Sequence, residues 1–183
     1  MAKQFPALEP QHRAFLEAQR IFFVASATAD SRVNVSPKGL DSLRVLGSNR
    51  VCWLDRTGSG SETAAHLIAD GRLTLMTCAF EGPPLILRLY GRGRSLPRGT
   101  AEYAALLAEA YGPDEPPGSR QIVVLDFDLV QTSCGFAVPL LDFKAERPTL
   151  DRWAESKGED GLQEYRREKN ARSMDGLPTG LVD

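Results

Sequence analysis

Short apolar segments closed by turn signals recur along this chain up to about residue 130, and that rhythm leaves few folds open. Ile21-Phe-Phe-Val-Ala-Ser-Ala-Thr28 is rich in β-formers and runs into the turn residues Asp30-Ser31. Arg32-Val-Asn-Val-Ser36 then alternates, with Val33 and Val35 on one face and Arg32, Asn34 and Ser36 on the other, so the two segments read as a hairpin. The second strand is expected to stop at Pro37-Lys38-Gly39, because proline withdraws a ladder donor and glycine permits a reversal. Further strands are expected over Leu43–Leu46, Arg50–Leu54, Arg72–Phe80, Leu85–Gly91 and Gln121–Val130. Gly91-Arg92-Gly93 marks a bulge or a close backbone approach. Connections this short join antiparallel neighbours, so the pattern predicts a mainly β protein with helices, of α+β class, built as a small barrel with helices packed outside.

One interruption differs from the rest. Trp53-Leu-Asp-Arg-Thr-Gly-Ser-Gly-Ser-Glu-Thr-Ala-Ala-His-Leu67 leaves a strand, passes through a glycine- and hydroxyl-rich loop and resumes as a helix. Ser59 and Glu62 have capping-box spacing, with Ser59 as N-cap, which places backbone N–H groups at the positive end of a helix dipole. Arg56 adds a charge beside them. Such a loop can hold a phosphate, and Lys38, at a strand end, can reach the same ligand.

Other classes are excluded by what the chain lacks. A net charge of -2 and a pI near 5.8 argue against nucleic acid or an anionic membrane as partner, leaving a small molecule. Cys52, Cys78 and Cys134 have no metal-ligand spacing, and the first two lie in apolar runs that suit a reducing compartment. With no basic leader and no long apolar run, a soluble cytoplasmic protein is expected. No nucleophile elbow, Walker loop or Gly-x-Gly-x-x-Gly is present. Of the two histidines, His12 is expected to be solvated and His66 to lie on the outside of its helix, so neither anchors a triad.

Around the strands, Pro10 starts a helix reaching about Gln19, and Thr100 to Tyr111 forms another, stopped by Gly112-Pro113. Thr132-Ser-Cys-Gly-Phe-Ala-Val-Pro-Leu-Leu-Asp-Phe143 is apolar but broken by Gly135 and Pro139, and is expected to lie extended against a cofactor or a partner subunit. Composition then shifts. Residues 1–141 form the barrel domain, and 142–183 read as a charged helical arm, with helices capped by Thr149 and Asp160, either solvated or packing on the barrel or on another subunit.

The candidate chemical groups, Ser36, Lys38, Arg56, Ser59, Ser61 and Thr63, are cations and hydroxyls that bind an anion without supplying acid–base or nucleophilic power, so any reaction needs a cofactor. Val33-Asn-Val-Ser-Pro-Lys-Gly39, the 54–67 loop, Leu87-Arg-Leu-Tyr-Gly-Arg-Gly93 and Ser133-Cys-Gly-Phe-Ala-Val-Pro139 occur in an order that resembles the pyridoxamine 5'-phosphate oxidase-like flavoproteins. The resemblance is closer to an oxidase-related subgroup with a C-terminal Asn-x-x-Ser-hydrophobic-Asp-Gly-Leu-Pro signature, here Asn170 to Pro178. It implies an FMN-binding split β-barrel over 1–141 and a homodimer with FMN at the subunit interface. It further implies that the FMN phosphate lies near Arg56, Ser59, Ser61 and Thr63, with the ring and ribityl chain along Val35, Ser36, Pro37, Lys38 and Asp55. The vitamin oxidases of that family carry an Arg-Lys pair where this chain has Glu62-Thr63, and their C-terminal Arg-x-His pattern is absent, so oxidation of pyridoxine phosphate is not expected. The readings left are an FMN-dependent oxidoreductase using a small molecule and possible NAD(P)H, a flavin-binding or storage protein without turnover, and a heme- or deazaflavin-binding relative of the barrel. No side chain is assigned as catalytic, and no metal site is expected.

Overall fold

A computed structural model describes residues 2–182. An eight-stranded antiparallel sheet carries the chain, with strand order β3-β2-β6-β7-β8-β5-β4 and β1 paired to β8 off this path. The strands are β1 (Lys3–Phe5), β2 (Phe22–Ser26), β3 (Asn34–Lys38), β4 (Leu43–Gly47), β5 (Arg50–Arg56), β6 (Arg72–Cys78), β7 (Ile86–Pro97) and β8 (Ser119–Ser133). Four helices accompany them: α1 (Pro10–Ala18), α2 (Glu62–Ala69), α3 (Ala101–Tyr111) and α4 (Thr149–Lys169). The α+β class and the barrel expected from strand spacing are both present.

Two cores explain why some strands alternate and others read as unbroken apolar runs. Along β5, Val51 and Trp53 enter the main core with Phe22, Val24, Leu75, Leu87 and Leu89, while Cys52 and Leu54 turn the other way. On β8, Val123 and Leu125 follow the first pair, and Ile122 and Val124 join Leu96 and Tyr103 in a second core beneath α3. Strands apolar on both faces pack on both faces, here the barrel interior and a helix. Thr100 caps α3 by accepting the Tyr103 N–H at 3.2 Å.

Gly91 meets its expectation as a bulge. The β7–β8 register shifts between Tyr90 and Gly91, and a Cβ at Gly91 would overlap the Asp126 carbonyl and the Phe127 Cα.

β3 ends within Pro37-Lys38-Gly39 as expected: its last ladder pairs are Phe23↔Pro37 and Phe22↔Lys38, and an edge strand tolerates the proline because the missing N–H faces away from its partner. Several other expectations are corrected. His12 is buried, its Nδ1 accepting the Glu9 N–H at 3.2 Å and its ring edge-on to Phe5 at 4.5 Å. Nor is His66 on the outside of α2: it is 1% exposed, with Nδ1 3.0 Å from the Ser26 hydroxyl. Pro148 rather than Thr149 precedes the first turn of α4, and the break in that helix falls at Gly158 (φ 64) rather than at Asp160. Trp153 and Tyr165 stack edge-on across the break at 5.1 Å. Residues 134–148 form neither helix nor strand and are not extended throughout: the Val138 N–H closes a turn on the Gly135 carbonyl at 2.9 Å, and Phe136 and Leu140 are largely exposed. Among the described residues, no helix is long and apolar enough to cross a membrane.

Candidate functional site

Where β5 ends at Arg56, the chain turns away from the sheet and crosses to α2 through Thr57-Gly-Ser-Gly-Ser61. The turn is anchored at its first residue. The Thr57 N–H donates to the Gly118 carbonyl at 2.7 Å and its hydroxyl to the same carbonyl at 2.8 Å. The loop rises over a cavity of about 340 Å³ bounded by β3, the end of β5 and the start of β8. Of the residues expected at the site, Ser36, Pro37, Lys38, Asp55, Arg56, Ser59, Ser61 and Thr63 all line this cavity, whereas Val35 does not and is 62% exposed.

The electrostatic centre is Asp55. Its carboxylate is buried and accepts from Lys38 Nζ at 2.7 Å, Arg120 Nε at 2.8 Å and Gln121 Nε2 at 2.7 Å. Burial by itself would push the carboxyl group up. Arg120, Lys38 and the Gln121 hydrogen bond reverse that effect and hold it well below the usual carboxylate range. Asp55 is therefore a fixed negative charge that keeps Lys38 and Arg120 in place.

Arg120 is the site residue that sequence reasoning missed. Its side chain is 4% exposed, and besides Asp55 it donates to the Gly58 carbonyl at 3.3 Å, the Gly60 carbonyl at 2.6 Å and Asn170 Oδ1 at 3.0 Å. Asn170 is wholly buried and donates from Nδ2 to the Gly58 carbonyl at 2.9 Å. Arg166, from α4, donates to the Thr57 hydroxyl at 2.9 Å and the Ser119 carbonyl at 3.3 Å. The loop is thus clamped from beneath by a strand arginine and by side chains from the C-terminal arm.

Hydroxyl groups on the cavity side are ordered through Asn34, which donates to the Thr63 hydroxyl at 3.0 Å and accepts from Ser36 at 3.2 Å. Arg56 is already engaged: Nε donates to the Pro117 carbonyl at 2.9 Å and Nη2 pairs with Asp151 of α4. Ser59 does not cap the helix. α2 begins at Glu62, and the Glu62 carboxylate folds back on the Ser61 N–H at 3.0 Å. Trp53 also lines the cavity, and its buried indole Nε1 has no hydrogen-bond partner. Hydroxyls, three cations, two carboxylates and an orphaned ring donor thus surround one cavity.

A split barrel with a glycine- and hydroxyl-rich loop at a strand-to-helix turn defines the class, and comparison with known proteins gives the family. Residues 8–134 match the sequence profile of the pyridoxamine 5'-phosphate oxidase family. The chain is 39% identical over 192 residues to the pyridoxamine 5'-phosphate oxidase family protein ustO of Aspergillus flavus, an alignment covering 95% of this chain and 76% of that one. It belongs to the pyridoxamine 5'-phosphate oxidase family. Among solved structures, HupZ from Group A Streptococcus superposes with a TM-score of 0.53 at 19% identity, covering 67% of this chain and 92% of that one. A putative pyridoxamine 5'-phosphate oxidase from Lactobacillus delbrueckii gives 0.53 at 18% identity, covering 69% and 94%. At these identities the likeness is one of fold.

Proposed function

We propose that this chain binds FMN in the cavity beneath the 57–61 loop and acts as an FMN-dependent oxidoreductase on a small molecule. The observation that carries the reading is the convergence on one cavity of Ser36, Lys38, Ser59, Ser61 and Thr63, drawn from β3, the loop and α2, with a loop held rigid from below. The flavin, when bound, supplies hydride-transfer chemistry that none of the lining side chains can supply. The chain's own residues bind and orient. Ser36, Ser59, Ser61 and Thr63 offer hydroxyls to the phosphate and ribityl oxygens, and Asp55 holds Lys38 at the cavity wall as a fixed donor for negative charge.

The vitamin-oxidase activity itself is not part of this proposal, because Glu62-Thr63 stands where an Arg-Lys pair would be needed. A non-catalytic flavin carrier is the second reading. Both carboxylates lining the cavity are already committed, Asp55 to Lys38, Arg120 and Gln121, and Glu62 to the loop backbone, which leaves no free carboxylate to act as a general acid. A heme reading is disfavoured because neither His12 nor His66 lines the cavity, and both are buried elsewhere in the fold. We further propose a homodimer in which a second copy covers the exposed Val33 and Val35 of the β3 edge and the apolar 136–143 segment. A cytoplasmic location accords with the free cysteines, buried at Cys52 and Cys78.

The test is titration of the purified protein with FMN, followed by anaerobic NADH or NADPH. A flavin spectrum bleached by either nicotinamide supports the oxidoreductase. FMN binding without bleaching by any donor supports the carrier, and failure to bind flavin refutes both.

A further inference from the structure

The loop already holds an anion of its own. Glu62 Oε2 accepts the Ser61 N–H at 3.0 Å, and Oε1 accepts the Met174 N–H at 3.4 Å from the C-terminal tail. Oε2 also stands over Gly60, 3.5 Å from where a Cβ would be. The peptides of this loop are trans, so each carbonyl points opposite to the N–H that follows it. Drawing the Gly58 and Gly60 carbonyls toward Arg120, at 3.3 and 2.6 Å, turns the Ser59 and Ser61 N–H groups away from the guanidinium. Of these two outward donors, Ser61 is occupied by Glu62.

The charges point the same way. Lys38, Arg56 and Arg120 line the cavity together with the carboxylates Asp55 and Glu62. Lys38 and Arg120 share Asp55, and Arg56 is paired with Asp151. A phosphate monoester carries a charge of about −1.5 to −2 at neutral pH. Here it meets cations that are already countered, and a carboxylate on the backbone donor it needs.

We propose that Glu62 sets the ligand preference of this loop: its carboxylate competes with phosphate for the Ser61 N–H and repels it, lowering discrimination between phosphorylated and unphosphorylated forms of one ligand. The inference rests on the flavin reading above for its ligand, and on the loop alone for its chemistry. Removing the carboxylate charge leaves the lining with two more positive than negative groups, a match for a phosphate dianion. Glu62→Gln keeps the shape and an oxygen acceptor for the Ser61 N–H, so the start of α2 is retained.

Two titrations on wild type and Glu62→Gln decide it: FMN and riboflavin followed by flavin fluorescence, and inorganic phosphate followed at the Ser61 backbone amide by NMR. The variant is expected to bind FMN about tenfold more tightly, riboflavin within about twofold of wild type, and phosphate at about tenfold lower concentration. If riboflavin binds but FMN affinity is unchanged or reduced in Glu62→Gln, the proposal is overturned and Glu62 is a helix cap. If neither flavin binds either protein, the flavin reading falls and the phosphate titration decides Glu62 alone: a tenfold gain supports its role, and no gain overturns it.

Discussion

Replacing Arg120 with methionine removes the guanidinium on which the loop, Asp55 and the C-terminal arm all depend, while keeping an unbranched apolar side chain in its place. Both Arg120 and Asp55 are about 5% exposed or less, so the variant leaves a buried carboxylate with only Lys38 and Gln121, and leaves the Gly60 carbonyl without its 2.6 Å donor. Breaking a buried pair from one side costs about 3–5 kcal/mol, a large fraction of the roughly 5–15 kcal/mol that stabilises a domain. With a urea slope of about 2 kcal/mol/M, the unfolding midpoint falls by about 2 M. The pH dependence is a sharper test. Asp55 has a lowered carboxyl pKa in the fold, so its stabilisation is fully present above the unfolded carboxylate range and is lost as pH falls through the folded value. Without Arg120, burial pushes that carboxyl group upward, and acid relieves the variant by protonating a group that has lost its partner. The stability gap between wild type and Arg120→Met should therefore be widest near pH 7 and narrow toward about pH 3, and Asp55→Asn in the Arg120→Met background should recover part of the loss. A gap below about 1 kcal/mol at pH 7, or one that stays constant with pH, would show that this pair does not hold the loop.

Other perturbations probe separate parts of the same account. Gly91→Ala places a methyl group on the Asp126 carbonyl at the β7–β8 bulge and should abolish soluble expression or lower Tm by well over 10 °C, since a clash with backbone cannot be relieved by a rotamer change. Arg56→Ala, whose guanidinium is already tied to Asp151 and the Pro117 carbonyl, should weaken FMN binding by less than about tenfold but speed amide exchange in the first half of α4. Deleting residues 145–183 removes Arg166 and Asn170 from beneath the loop and should abolish flavin binding at concentrations where the full chain binds. Sedimentation of the truncated chain reports separately on any contribution of the arm to dimer assembly.

The strands were legible because turns punctuate them, and the loop was legible because glycines and hydroxyls concentrate there. What escaped depended on partners distant in sequence. Arg120 sits in an apolar strand with nothing local to mark it, and meets Asp55 across a separation of 65 residues. The apolar residues of α2 pointed to a single buried stripe with His66 outside it, yet Thr63 through Leu67 are all buried and Ile68 is 57% exposed. One face of that helix packs on the sheet, where Leu67 crowds Gly93. The C-terminal tail reaches others, through Arg172 at Ser61 and Gly180 beside Ile68. A helix enclosed on more than one side has no polar stripe to read. The Ser59 cap was misplaced for a similar reason: its spacing to Glu62 was correct for a capping box, but the carboxylate turned to the nearer Ser61 N–H.

The shift to charged residues at 142 is a change in composition, yet side chains beyond it reach back to the barrel's loop. Arg166 and Asn170 lie in the most charged part of the chain, and both are buried against the loop that the barrel presents. Thr179 fixes Asn170 in turn, its hydroxyl donating to the Asn170 carbonyl at 2.5 Å, and Met174 meets Glu62. The Asn170–Pro178 signature thus closes the loop on two sides, with Asn170 holding a carbonyl from below and Met174 holding the carboxylate that occupies the outward donor. A segment whose side chains set the orientation of loop peptides acts on affinity without touching the ligand, because each peptide that it fixes inward presents an N–H outward. The arm and the Asp55–Arg120 pair are two supports of one element, and loss of either should move FMN affinity and loop stability together.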